Sequence, residues 1–290
     1  MTQGIAASTY STTRVPTTFR WPGNKRIGIV FNVAFEGWSE GKVPGIGPMG
    51  NPLLAGFLDL NAISWANYGP QRGIQRILAV LGRNGIKSSV MINGVIAERY
   101  PDIVRAISQQ GHEIVAHSYA MDVIPVYLDE KAELDNIRRT TDLLVKTTGK
   151  RPTGWISPRG TPSANTVRLL IQEGFTWIGD QQDDDLPYIL GEGKNSLVVL
   201  PFNMNVNDMP SGVRYGNPAR AMLEAFDVEL EYLQKHEEGA GKMDATVHAH
   251  VYGRPGGIWV FEEMMKRAKA ADVWIGTREE AVAHVRATVR

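Results

Sequence analysis

Glu36, His117, Arg159, Asp183, His248 and His250 all stand at or just beyond the ends of predicted strands. Their types suit hydrolysis by an activated water. A carboxylate orients or deprotonates the water, imidazoles carry protons or polarise a carbonyl, and a guanidinium clamps a substrate oxygen. His117 lies in the segment GHEIVAHSYAM, Gly111–Met121. Two imidazoles at i and i+4 would share a helical face and pinch a zinc ion. The i+4 position here is Met121, and a soft, uncharged thioether is a poor zinc donor. His112 precedes His117 by five residues, so in a strand it faces the other side, roughly 16 Å away, and is expected to tie down the bottom of the fold. His248 and His250 are two apart and share a face. Trp38, Trp65 and Tyr119 fall in predicted loops near these residues. They are expected to line a substrate pocket together with Asp183 and His250.

Alternating strands and helices position these groups. The spacing predicts strands over Arg26–Val33, Lys87–Ile92, Glu113–His117, Thr153–Ser157, Phe175–Gly179, Leu197–Pro201, Ala245–His250 and Val273–Gly276. Amphipathic helices are expected over Arg72–Arg83, Pro101–Gln110, Asp129–Thr148, Ala164–Glu173, Pro218–Lys235, Ile258–Ala270 and Arg278–Thr288. That alternation predicts an α/β fold, a distorted β/α barrel of about seven parallel strands with its site at the C-terminal strand ends. The segment after the first strand, Asn32–Gly37, lacks the Gly-rich phosphate fingerprint of a nucleotide-binding sheet. Residues 1–25 read as an extended arm, 26–290 as one hydrolase domain, and 37–70 as a long Gly/Pro-rich loop covering the mouth.

The chain has 290 residues, 43% of them hydrophobic, with 31 basic and 31 acidic side chains. The balance, without any basic run, argues against nucleic acid and anionic membranes as partners. No 18-residue apolar stretch predicts a membrane span. The absence of cysteine excludes disulfides, a thiolate nucleophile and a Cys-based zinc site. With no apolar h-region near the N-terminus, the expected location is cytoplasmic.

GHEIVAH, RPTGWISPRG, the strand-end acid of FNVAFEGW and the late HAHVYGRP together resemble the polysaccharide deacetylase (NodB-homology) superfamily, over roughly Arg26 to His284. The sequence is most similar to its metal-independent branch of allantoinases and cyclic imide hydrolases. Branch-like features are Asn32 through Glu36-Gly37, Arg159, the run Asp183-Asp184-Asp185-Leu186-Pro187-Tyr188, Asn207-Asp208-Met209 and Gly253-Arg254-Pro255.

The resemblance implies a distorted barrel, a homodimer or homotetramer, and opening of the amide C–N bond of a small cyclic amide or imide. The superfamily's sugar deacetylases carry two neighbouring aspartates after the first strand and a His-x-x-x-His motif. Here that region holds Asn32, Ala34 and the single acid Glu36, and the motif ends in Met121. No metal or other cofactor is therefore expected; a zinc site would have to use Glu36, His117 and His248. Two alternatives stand beside this reading. One is a zinc-dependent N-deacetylase of acetylated sugars or polysaccharides, the other a catalytically inactive ligand-binding barrel. Retention of Glu36, His117, Arg159 and His248 together counts against the second.

Overall fold

The structure, a computed structural model, describes residues 10–45, 52–54 and 56–289. Its strands are β1 (Thr12–Arg14), β2 (Ile27–Phe35), β3 (Ser89–Ile92), β4 (Glu113–Ala116), β5 (Gly154–Trp155), β6 (Trp177–Ile178), β7 (Tyr188–Glu192), β8 (Asn195–Val199), β9 (Gly241–His248) and β10 (Val273–Gly276). The helices are α1 (Leu60–Tyr68), α2 (Ile74–Asn84), α3 (Gly94–Arg99), α4 (Pro101–Gln109), α5 (Glu130–Thr148), α6 (Thr166–Gln172), α7 (Ala219–Lys235), α8 (Pro255–Ala270) and α9 (Arg278–Thr288). Local chemistry accounts for several boundaries. Asp129 caps α5 by accepting from Ala132 N at 2.8 Å, and Gly149 ends it in the left-handed conformation. Thr277 and Glu280 close a reciprocal capping box on α9.

One ten-stranded sheet runs β1-β7-β8-β6-β5-β4-β3-β2-β10, with β9 also paired to β2. Everything from β8 through β6, β5, β4, β3, β2, β9 and β10 is parallel, as an α/β barrel requires. One isolated parallel bridge joins Asn207, which lies outside the strands, to Thr246 of β9, and among the described residues no continuous ladder closes the sheet on itself. Strands β2 and β9 form its spine. Both are buried along their whole length, as a strand covered on both faces should be.

Two expected features differ. The segment 37–70 is not all loop: Asp59 accepts from Ala62 N at 2.8 Å and starts α1, which a π-helical turn, Gly69–Gly73, joins to α2. The Gly/Pro content had masked an ordinary N-cap, and residues 46–51 and 55 of that segment lie outside the described residues. The N-terminal arm is more than an extension. Its β1 pairs antiparallel with β7, which itself forms a hairpin with β8. That hairpin turns at Gly193, whose φ of +55° needs glycine. Residues 1–9 of the arm also lie outside the described residues. Among the described residues no helix is long and apolar enough to cross a membrane.

Candidate active site

The β2–β9 register pairs Ala34 with His248, so the period of two places Glu36, just past β2, beside His248 at the end of β9. Strand β4 delivers His117 to the same point. Glu36 Oε1 lies 3.5 Å from His117 Nε2 and 3.4 Å from His248 Nε2, and all three side chains are buried. Asn93, at the end of β3, ties the strand ends together. Its Oδ1 accepts from Gly37 N at 2.9 Å, and its Nδ2 donates to His117 O.

Each imidazole has its second nitrogen committed. His117 Nδ1 lies 2.5 Å from Ile156 O, and a carbonyl only accepts, so Nδ1 carries a proton and Nε2 is the nitrogen turned toward Glu36 and the mouth. His248 Nδ1 lies 2.6 Å from Asp208 Oδ1, while Asp208 Oδ2 accepts from His248 N at 2.8 Å and Tyr252 N at 3.1 Å. One buried carboxylate thus holds the ring of His248 and the backbone of Tyr252 as a unit.

The electrostatics follow from this packing. Burial alone would push the Glu36 carboxyl up, but the charge on His248 first, and then the His117 ring, hold it well below the usual carboxylate range. Burial works against charge on His248 too, yet Glu36 and Asp208 outweigh it and raise its pKa to about 10, so the ring is an imidazolium at neutral pH. His250 goes the other way. Burial, helped by His248 and Arg254, takes it down to about 3, and it is a neutral ring.

A cavity of roughly 1270 Å³ opens over this cluster. Glu36, His117, Arg159 and His248 line it, as do Trp38 and Trp65, so the expected apolar wall is present. Three sequence expectations fail. Tyr119 is outside the cavity: its hydroxyl donates to Glu98 at 2.8 Å and Arg139 stacks on its ring at 3.4 Å, because the left-handed turn at Ser118 (φ +59°) turns the chain toward α3 and α5. Asp183 is outside it as well, accepting from Tyr188 Oη at 2.8 Å. Its neighbour Asp184 pairs with Arg14 of β1, so the acidic run serves the hairpin and not the site. His250 is near but behind the wall, 4.6 Å from the Trp65 ring and 5.4 Å from Trp38, with neither nitrogen partnered. Arg159 lines the cavity but is not the charge that tunes Glu36; the histidines are.

His112 accepts from Ser88 N through Nδ1 at 3.2 Å, in keeping with a role at the bottom of the barrel. Sequence reasoning gave no role to Asp208, Asn93 or Tyr252. Asp208 sat in a flagged triplet, Asn207-Asp208-Met209, but its partner lies forty residues away and no spacing rule links them. Tyr252 lines the cavity, and its hydroxyl is buried with no hydrogen-bond partner among the described residues.

Both Nε2 atoms approach the same oxygen of Glu36, and Met121 occupies the cavity wall where a second ligand on the His117 turn would stand. Among the described residues no three His, Cys, Asp or Glu side chains are gathered as an ion would require.

Residues 66–178 match the family model described as Polysaccharide deacetylase. Among solved structures, PuuE allantoinase is 26% identical with a TM-score of 0.85, covering 99% of this chain and 98% of its own. A Pseudomonas aeruginosa PAO1 structure described as a probable polysaccharide deacetylase is 27% identical with a TM-score of 0.85, covering 92% and 93%. A Schizosaccharomyces pombe protein named provisionally as a polysaccharide deacetylase is 26% identical over 90% of both chains. Fold, strand-end site and family match agree: residues 66–178 carry a polysaccharide deacetylase domain, and the chain as a whole resembles solved structures of a probable polysaccharide deacetylase and of an allantoinase.

Proposed function

We propose that this protein opens the amide C–N bond of a small cyclic amide or imide without a metal ion. The observation that carries the reading is the Asp208–His248–Glu36–His117 chain: an imidazole clamped by one carboxylate and facing a second, across from an imidazole whose Nε2 approaches the same oxygen. The likeness to an allantoinase over nearly the whole chain supports the ring substrate.

Water held near Glu36 attacks the ring carbonyl and gives its proton to His117 Nε2. Glu36 aligns that water as an acceptor; with its pKa so depressed it is a poor base. The oxyanion is met by the unpartnered Tyr252 hydroxyl and the positive His248. Collapse breaks the C–N bond as His248 Nε2 protonates the departing nitrogen. Glu36 Oε1, within 3.5 Å of both rings, returns the proton from His117 to His248. Arg159 at the rim orients the bound ring. A cyclic imide or ureide is more electrophilic than an acetamide, which suits a site without a Lewis acid.

The second reading, N-deacetylation of an acetylated sugar with zinc held by Glu36, His117 and His248, is favoured by one feature. The cavity is roomier than the usual small-molecule pocket of about 300–1,000 Å³. A panel of cyclic imides, hydantoins and N-acetylated sugars, assayed with and without chelator alongside zinc analysis, separates the two. Ring opening indifferent to chelator is expected. Acetate release that chelator abolishes, with no ring opened, would overturn the proposal.

A further inference from the structure

We infer that the cavity contains an anion-binding subsite on Arg159 and Arg214, and that the ring it takes carries a carboxylate. The nature of the ring rests on the function proposed above; the subsite does not.

The argument starts from charge. Besides His248, the cavity wall carries four Lys and Arg side chains, Lys42, Arg159, Arg214 and Arg254, against two acids, Glu36 and Asp122. Both acids are already engaged: Glu36 faces two histidines, and Asp122 accepts from Ser39 N at 2.8 Å. Arg254 is committed too, stacked 3.9 Å over the Tyr68 ring with its Nε donating to His250 O. Lys42, Arg159 and Arg214 are left without a carboxylate among the described residues. The residues outside the description, 1–9, 46–51, 55 and 290, contain no Asp or Glu side chain to supply one.

The pairing habits of the other arginines sharpen this. Among the described arginines only Arg72, Arg159 and Arg214 have no side-chain hydrogen bond, ion pair or aromatic-ring contact, and two of those three face one cavity. Guanidinium forks with nothing to hold, lining a concave surface, suit a planar carboxylate that each can grip with two hydrogen bonds.

Arg159 is also placed at a cost. Its φ is +61°, left-handed backbone that a side chain with a Cβ adopts only with strain of about 1–2 kcal/mol, and Gly160 follows at +60°. The turn is pinned from beneath. Ser157 N and Oγ both donate to the buried Asp180 at 2.6 Å, Trp155 Nε1 donates to Ser157 Oγ at 3.0 Å, and Ile156 O holds His117. The strained backbone of Arg159 therefore follows by three residues the Ile156 carbonyl that orients His117. A glycine would relieve the strain and lose only the guanidinium.

The test measures binding by the wild-type protein of a five-membered ring with no C–N bond to cut. 3-Oxocyclopentane-1-carboxylate is titrated calorimetrically against its uncharged methyl ester. The acid is expected to bind about tenfold more tightly at low ionic strength, with the advantage shrinking as salt is added. Arg159→Gln and Arg214→Gln should each erase most of that preference, and Arg159→Lys should keep part of it. Equal binding of acid and ester, or a preference that survives both glutamine substitutions, overturns the subsite. Turnover of cyclic imides is scored separately, so failure of ring opening and failure of the anion subsite give different results.

Discussion

The barrel interior holds two buried polar clusters on the same two strands. At the lower end, Asp244 takes Asn32 Nδ2 at 3.0 Å, Asn203 N at 2.9 Å, and the charged heads of Lys242 and Arg278, while Arg278 also donates to Asn32 Oδ1 and Leu200 O at 2.9 Å. At the mouth, Glu36 Oε2, both nitrogens of His250 and the Tyr252 hydroxyl are four of the eight buried side-chain polar atoms without a partner among the described residues. Both clusters come from alternate residues of one strand, Lys242, Asp244, Thr246 and His248, so neither burial nor strand geometry distinguishes them. Satisfaction does. A buried polar atom left unpaired costs about 1–3 kcal/mol, and a fold tolerates several in one place where a ligand will supply the missing partner.

The comparison breaks if the lower cluster proves catalytic or the upper one structural. The largest effect is expected from Glu36→Gln, which should lower kcat by about a thousandfold while circular dichroism and urea unfolding stay near wild type. Its counterpart Asp244→Ala should do the reverse. It strands two buried cations and should cost about 3–5 kcal/mol in urea unfolding, with kcat of the remaining folded protein little changed. Asp208→Asn removes one of the two carboxylates that orient His248 and keep it protonated, and should cost about a hundredfold or more in kcat. Tyr252→Phe should lower kcat by about tenfold with KM barely moved, and should leave stability equal or improved because the hydroxyl bonds to nothing in the free protein. The smallest expected change is in His250→Phe. It removes two unpaired nitrogens and should gain about 1 kcal/mol of stability; a marked loss would show that His250 has partners of its own.

The pH dependence carries a definite sign. The His248 pKa is raised in the folded protein, to about 10 from an ordinary 6.5, so the folded state keeps a proton that the unfolded chain gives up. The stabilisation from that proton is complete below pH 6.5 and drains away as pH climbs through 10. Urea midpoints should fall across that interval, and the fall should flatten in His248→Gln. An unchanged slope in that variant would move the titration to another group.

Much of this was legible in the sequence because it depends on local rules. The alternation from Ala245 announces a strand, although β9 begins four residues earlier at Gly241; Asp129 and Gly149 bracket their helix, and three strand ends bring Glu36, His117 and His248 together. The failures share a cause. Tyr119 and Asp183 sit beside site residues in the chain, but a left-handed Ser118 and a hairpin against the N-terminal arm turn them elsewhere. Asp208 and Asn93 act across forty and twenty-four residues, distances over which no periodicity carries information.

Gly73 and Gly253 have a mechanical consequence. A Cβ on Gly73 would stand 1.8 Å from Ala249 O, and one on Gly253 would stand 2.5 Å from the Cα of Gly73, so these backbones lie in direct contact. The turn carrying Trp65's helix is thereby seated on the loop that carries His248 and His250. That side of the mouth is a fixed jaw. Its shape is decided when the protein folds, before any ligand arrives, and a substrate too broad for it meets backbone that has no room to yield.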